Sequence, residues 1–149
     1  MEKEFLVRKI ENGTVIDHIP AGSGLKVAYI LDLNENDSCF VVLANVLSSK
    51  MGKKDIVKIE NKELDKREAD RISLMAAGAT LNTIRESAVV EKRELSLPEM
   101  LEEIISCPNT NCITNCEHAM SRFSVESRQP LKIRCHYCER VFGSGEISV

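Results

Sequence analysis

Five of the chain's six cysteines fall between Cys107 and Cys138, and this crowding constrains the fold more than any other feature. Cys135-His-Tyr-Cys138 holds two thiols two residues apart, a spacing that lets a tight turn offer both to one tetrahedral ion at about 2.3 Å. Cys107-Pro-Asn-Thr-Asn-Cys112 is a wider partner half, and 22 residues separate the two. A secreted disulfide framework would spread its cysteines and follow a signal peptide. The opening MEKEFLVRKIENG has no h-region and no small-residue cleavage site. Metal ligation is therefore the expected use. Four thiolates with no open position make a structural site, most simply one Zn(2+) per chain, although sulfur ligands also accept iron. The loaded cluster carries about two net negative charges, which Lys132, Arg134 and Arg140 stand close enough in sequence to offset.

Spacing leaves the ligand set open, because Cys116 or His118 could replace Cys107 or Cys112. His136, inside the knuckle, reads as turn filler. A competing use is a redox pair at Cys135 and Cys138. That pair would form a reversible disulfide and tolerate chelators, whereas a structural site loses its fold with its metal.

The rest of the 149-residue chain has room for a second small unit. EFLVRKI and TVIDHI read as strands around Glu11-Asn12-Gly13, whose Asn-Gly supplies a positive φ. After a breaker cluster, LKVAYILDL (25–33) is apolar nearly all round, which predicts a buried helix with Ser23 as N-cap. Cys39–Ala44 predicts a buried strand with Cys39 as an apolar position, 45–54 a loop, and Asp55–Glu60 an alternating strand. Asp65-Lys-Arg-Glu68 is a capping-box start for a helix with Ala69, Ile72, Met75 and Ala76 on one stripe, ending at Gly78. Thr80–Ile84 and Ala88–Val90 predict two more strands, and Glu91–Pro98 a linker. Helices mixed with hairpins predict an α+β fold: an antiparallel or mixed sheet with two helices on one face, ferredoxin-like, followed by a small all-β zinc-binding domain. The expected division is 1–95 and 96–149.

Composition excludes several functions. Net charge is −3 with 4% aromatics, so no global basic field or stacking platform serves nucleic acid or anionic membrane. No apolar run approaches the ~20 residues of a membrane span, which makes a cytoplasmic protein the default. A zinc-ribbon nucleic-acid-binding or transcription-associated protein is the alternative, discriminated by salt-dependent binding. Ala21-Gly-Ser-Gly-Leu-Lys26 lacks the spacing of a phosphate loop, and no catalytic motif selects an enzyme. Asp17-His18 closes an apolar strand. Adjacent strand residues face opposite ways, so both reach one ligand only where the strand bends or stops. Lys50, Lys53, Lys54, Lys58 and Lys62 form a basic stretch, either a solvated face or, through Lys58, an anion site.

Seven segments share one pattern: GTVIDHIPAG (13–22), MGKKDIVKIEN (51–61), ATLN (79–82), VVEK (89–92), SLPE (96–99), CPNTNCIT (107–114) and CHYCE (135–139). Together they resemble the regulatory chain of aspartate carbamoyltransferase, nearly end to end and in order. The resemblance implies a non-catalytic subunit of pyrimidine biosynthesis whose first domain binds CTP as inhibitor and ATP as activator, with UTP in some members. It implies pairing of regulatory chains as homodimers, and a zinc domain that docks on the catalytic chain. It places Asp17 and His18 in the nucleotide pocket, with His18 toward the phosphates, Lys58 toward ribose and base, Asn82 toward phosphates, and Lys92 toward phosphate and ribose. Ile10 and Val89 would border the base. The implied zinc ligands are Cys107, Cys112, Cys135 and Cys138, and Asn109 and Asn111 would contact the catalytic chain. Lys9 and Ser87 depart from the pattern beside the base.

Overall fold

The structure, a computed structural model, describes residues 9–117 and 119–147. The expected first strand, residues 4–10, lies outside these up to residue 8, and Lys9 and Ile10 are irregular. In order come β1 (Gly13–Pro20), α1 (Gly24–Ile30), β2 (Phe40–Ser48), β3 (Gly52–Glu60), α2 (Lys66–Ala76), β4 (Thr80–Arg85) and β5 (Ala88–Glu94). The strands form one sheet, β2-β3-β1-β4-β5, with every pairing antiparallel. Without β5 this is the ferredoxin-like order, and β5 adds an edge. β6 (Met100–Glu102), α3 (Ile113–Cys116), β7 (Arg122–Arg128), β8 (Leu131–Cys135) and β9 (Val141–Gly143) follow. Their strands pair in chain order as a second antiparallel sheet, and the one-turn α3 qualifies the all-β expectation.

Alternation decides which face is buried. Ile16, Val57, Ile59 and Leu81 turn inward and meet Val27 and Ala28 of α1 and Ala69, Ile72 and Ala76 of α2. Residues of opposite parity, such as Val15, Lys58 and Asn82, are left on the other face. A second core gathers Leu101, Phe123, Ile133 and Phe142 around Cys107, Cys112 and Cys135, and Leu74 of α2 belongs to it. Gly13 is required where it stands, since it adopts φ +143° and a Cβ there would lie 2.0 Å from the Ile59 carbonyl oxygen. The Asp65 capping box forms with both bonds, Glu68 N–H to Asp65 Oδ1 at 2.8 Å and Asp65 N–H to Glu68 Oε1 at 3.2 Å. Gly78 follows α2 at φ +91°.

Several expectations need correction. α1 is not buried all round: Leu25 and Tyr29 are 73% and 78% exposed. Ser23 takes the N-cap position in a helical conformation, and its side chain makes no capping bond. Residues 45–54 are mostly strand, because β2 continues to Ser48 through a bulge at which Asn45 adopts φ +57°. Cys39 is exposed. β5 runs on to Glu94, so half of the expected linker is strand. The remaining connection is anchored at both ends, with Leu95 in the first core and Leu97 in the second.

Asp55 escaped sequence reasoning. It is 2% exposed and accepts the backbone N–H groups of Gly22 at 3.0 Å, Gly24 at 2.8 Å and Asn45 at 2.9 Å. Two amides of the glycine-rich loop at 21–26 are thereby committed to an internal carboxylate, which removes the phosphate-cradle reading.

Candidate ligand pocket and metal centre

The open face of the first sheet carries a cavity of about 430 Å³. Ile10, Asp17, His18, Lys58, Asn82, Val89 and Lys92, all seven residues expected at one ligand, line it, together with Lys9, Val15, Ile56, Thr80, Ile84 and Ser87. Register explains the gathering. Val15 pairs with Lys58 on one side and Asn82 on the other, and Asn82 pairs with Lys92. One row thus crosses four strands with a lysine at each end, about 14 Å apart at the backbone.

Asp17 and His18 reach the same cavity because β1 breaks its alternation there. The register with β3 shifts between Ile16 and Ile19, and His18 adopts φ +57°, the left-handed conformation of a bulge. Asp17 Oδ1 accepts the His18 backbone N–H at 2.6 Å and meets Lys54 Nζ at 2.8 Å. Burial opposes the Asp17 carboxylate, but the Lys54 hydrogen bond, the His18 N–H and the nearby positive charges outweigh it, holding the pKa below its ordinary value. His18 Nδ1 shares a 3.1 Å hydrogen bond with Thr80 Oγ1, and Asn82 Nδ2 donates to the Val15 carbonyl at 3.3 Å.

Lys54, one of the basic stretch, does not line the cavity but pairs with Asp17 from behind it. Its parity with Lys58 was the available signal for this. Lys62 pairs with Glu68 at 3.0 Å, and Lys50 and Lys53 are exposed, so only Lys58 of that stretch lines the cavity. Its lining combines an apolar set (Ile10, Val15, Ile56, Ile84, Val89) with Lys9, Lys58, Lys92 and His18, and its one acid is already paired. That suits an anion carrying a flat apolar group.

In the second unit, the sulfurs of Cys107, Cys112, Cys135 and Cys138 all lie within 4.8 Å of one another. The pairs Cys107–Cys138 and Cys112–Cys135 stand at 3.8 and 3.7 Å. A disulfide needs about 2.05 Å, whereas a tetrahedron with 2.3 Å metal–sulfur bonds has edges of about 3.8 Å. The geometry fits a tetrathiolate ion site, with all four thiols free of disulfides. Cys116 is exposed and outside the cluster, and His118 lies outside the described residues.

Burial pushes all four thiols up. At Cys112 the Thr114 hydroxyl, 3.2 Å from Sγ, and the Thr114 N–H reverse this and bring the thiol to about 7. At Cys138 the Arg140 N–H and the Asn109 side chain lower it, while Cys107 and Cys135 stay raised. Two of the four thiols are thus lowered and two raised. Asn109 Oδ1 accepts the Asn111 N–H at 3.1 Å, and Asn115 Nδ2 ties the carbonyls of Cys107 and Asn109 at 2.9 and 2.8 Å. Asn109 is therefore engaged in shaping the loop, and Asn111 is exposed. His136 stacks edge-on against Tyr137 and stays out of the cluster.

A sheet with an anion-suited pocket, joined to a four-cysteine metal unit, defines a two-part ligand-binding and metal-binding protein. The chain belongs to the family of aspartate carbamoyltransferase regulatory chains. Residues 5–96 match the family's allosteric domain and residues 99–148 its metal-binding domain. It is 51% identical over 146 residues to the regulatory chain of Pyrococcus furiosus, covering 97% of this chain and 96% of the relative. It is 49% identical to that of Thermococcus gammatolerans over 97% of this chain and 96% of the relative, and 49% identical to that of Methanocaldococcus jannaschii over 93% and 92%.

Proposed function

We propose that this chain is a non-catalytic effector subunit, in which residues 1–95 bind CTP and ATP, with UTP as a further ligand, and residues 96–149 dock on an aspartate carbamoyltransferase catalytic chain. The observation that carries this reading is the convergence of seven residues, distant in sequence, on one cavity. A triphosphate carries about four negative charges, which Lys58, Lys92 and His18 at one rim can meet even in an acidic protein. The base lies against Ile10 and Val89, where apolar and backbone contacts tolerate purine and pyrimidine alike. Lys9 and Ser87 line the same region and set base preference.

Zn(2+), held by Cys107, Cys112, Cys135 and Cys138, supplies a structural crosslink. These residues orient the loop that presents Asn111 and Ile113, both exposed, to the catalytic chain. Pairing of two regulatory chains is supported by β2, an edge strand, and by exposed Leu25, Tyr29 and Leu47 near it. Regulation then requires each nucleotide to bind two global states unequally. No helix among the described residues is long and apolar enough to cross a membrane, and the cytoplasm is the proposed location.

The test is calorimetric titration of the zinc-loaded chain with CTP and ATP, each in competition with the other. Saturable, mutually exclusive binding that collapses in Lys58→Ala/Lys92→Ala, with metal content unchanged, is the expected result. Unaltered CTP binding in that double variant would remove the pocket.

A further inference from the structure

We propose that a second anion site, for a single phosphate group, lies at the junction of the two units and is built on Arg67 and Arg71 of α2. A cavity of about 400 Å³ opens there, distinct from the pocket on the sheet. One wall is α2, where residues four apart share a helix face. The other is the metal unit, which contributes Ser106, Thr114, Asn115 and Ser121.

Most polar groups of that second wall are already engaged. The Ser121 hydroxyl donates to the Ile105 carbonyl, the Thr114 hydroxyl to Cys112 Sγ, and the Asn115 amide to the loop carbonyls of Cys107 and Asn109. Arg67 reaches across the junction, its Nη2 donating to the Glu103 carbonyl at 2.6 Å, and keeps further N–H groups for another partner. Arg71 is half-buried. Among the described residues no carboxylate forms an ion pair with either arginine. The charged donors left uncommitted in the cavity are guanidinium N–H groups, a fork that matches phosphate oxygens two at a time, with the Ser106 hydroxyl beside them. An anion between the two arginines also relieves the repulsion of like charges four apart on a helix.

Glu103 on the rim and the nearby thiolate cluster oppose negative charge. That opposition selects a single phosphate over a triphosphate. Because α2 belongs to the first unit and residues 103–121 to the second, a bound phosphate draws the two together.

The experiment is calorimetric titration of inorganic phosphate, in chloride buffer, into the metal-loaded full chain. It is carried out in the Lys58→Ala/Lys92→Ala background, so that the sheet pocket is weakened and the nucleotide reading stands or falls separately. Saturable binding that weakens about tenfold on adding Arg71→Gln, which leaves the Arg67–Glu103 contact in place, supports the site. Equal binding with and without Arg71→Gln, or no binding in the parent, overturns it. Metal content and circular dichroism check that the variant folds. If it does not, Arg71→Lys, which keeps the charge and loses the fork, is read the same way: weaker binding supports the site and unchanged binding overturns it.

Discussion

At the scale of single residues, the pocket depends on one interruption of strand alternation. Asp17 and His18 would face opposite sides of a regular strand; the bulge at φ +57° turns both to the cavity. The sequence showed the charged pair and the condition it had to meet, but not that β3 would supply one residue against two. Lys54 completes the arrangement by pairing with Asp17. The folded-state pKa of Asp17 is depressed, so its stabilising contribution is present above its ordinary value near 3.8 and is lost as pH falls below it. Acid unfolding of the parent and of Asp17→Asn should therefore differ by less than about 1 kcal/mol at neutral pH, with the gap closing below that value. A gap that widens on acidification would contradict the assignment. The metal ligands give a second residue-scale prediction. Cys112→Ser and Cys135→Ser should lose the bound ion by atomic absorption, while Cys116→Ser, outside the cluster, should retain it.

Elements were legible where their signals are local. The Asp65 capping box and the apolar stripe of α2 lie within a dozen residues, and both stand as read. The bulge in β2 and the length of β5 were not legible, because each depends on a partner strand that the local sequence does not contain. Asp55 illustrates the same limit. Its neighbours say strand, yet its carboxylate joins the start of α1 to the β2 bulge through three backbone N–H groups. Asp55→Ala orphans all three at once. Only the Gly24 N–H is buried, while Gly22 and Asn45 are exposed, so at about 1–3 kcal/mol for a buried unsatisfied donor the loss should reach about 2–3 kcal/mol in urea unfolding. Asp65→Ala removes only a surface cap and should cost about 1 kcal/mol. Equal costs for the two would mean that water reaches the Asp55 amides. α1 differs from its reading because an apolar run does not by itself dictate burial of every residue; Leu25 and Tyr29 belong to the run and are exposed.

The molecule as a whole is two small cores, one closed by apolar contacts and one by cysteines. Residue types and thiol spacing were enough to expect a metal site in the last third of the chain, but not to choose among Cys107, Cys112, Cys116 and His118; the resemblance implied the set that the folded chain gathers. The row from Lys58 to Lys92 could not be derived from spacing, because it exists only when four strands are in register. Stripping the metal with a chelator should abolish the dispersed amide resonances of residues 100–147 and leave those of β1–β4. The last turn of α2 should also lose hydrogen-exchange protection, because Leu74 is buried in the second core. Full retention of the second unit's resonances without metal would contradict a structural role for the cysteines. The connection between the cores has a consequence of its own. Leu95 and Leu97 are 5% and 6% exposed, with exposed Ser96 between them. The interval is about 7 Å of extended chain, half the distance between the lysines of the pocket. The two leucines fix a phase between the cores: adding one residue would turn one of them to solvent, whereas adding two would keep both inward and only slacken the tie. A displacement of one core by more than a side chain's width has to be answered by the other, or one leucine leaves its socket.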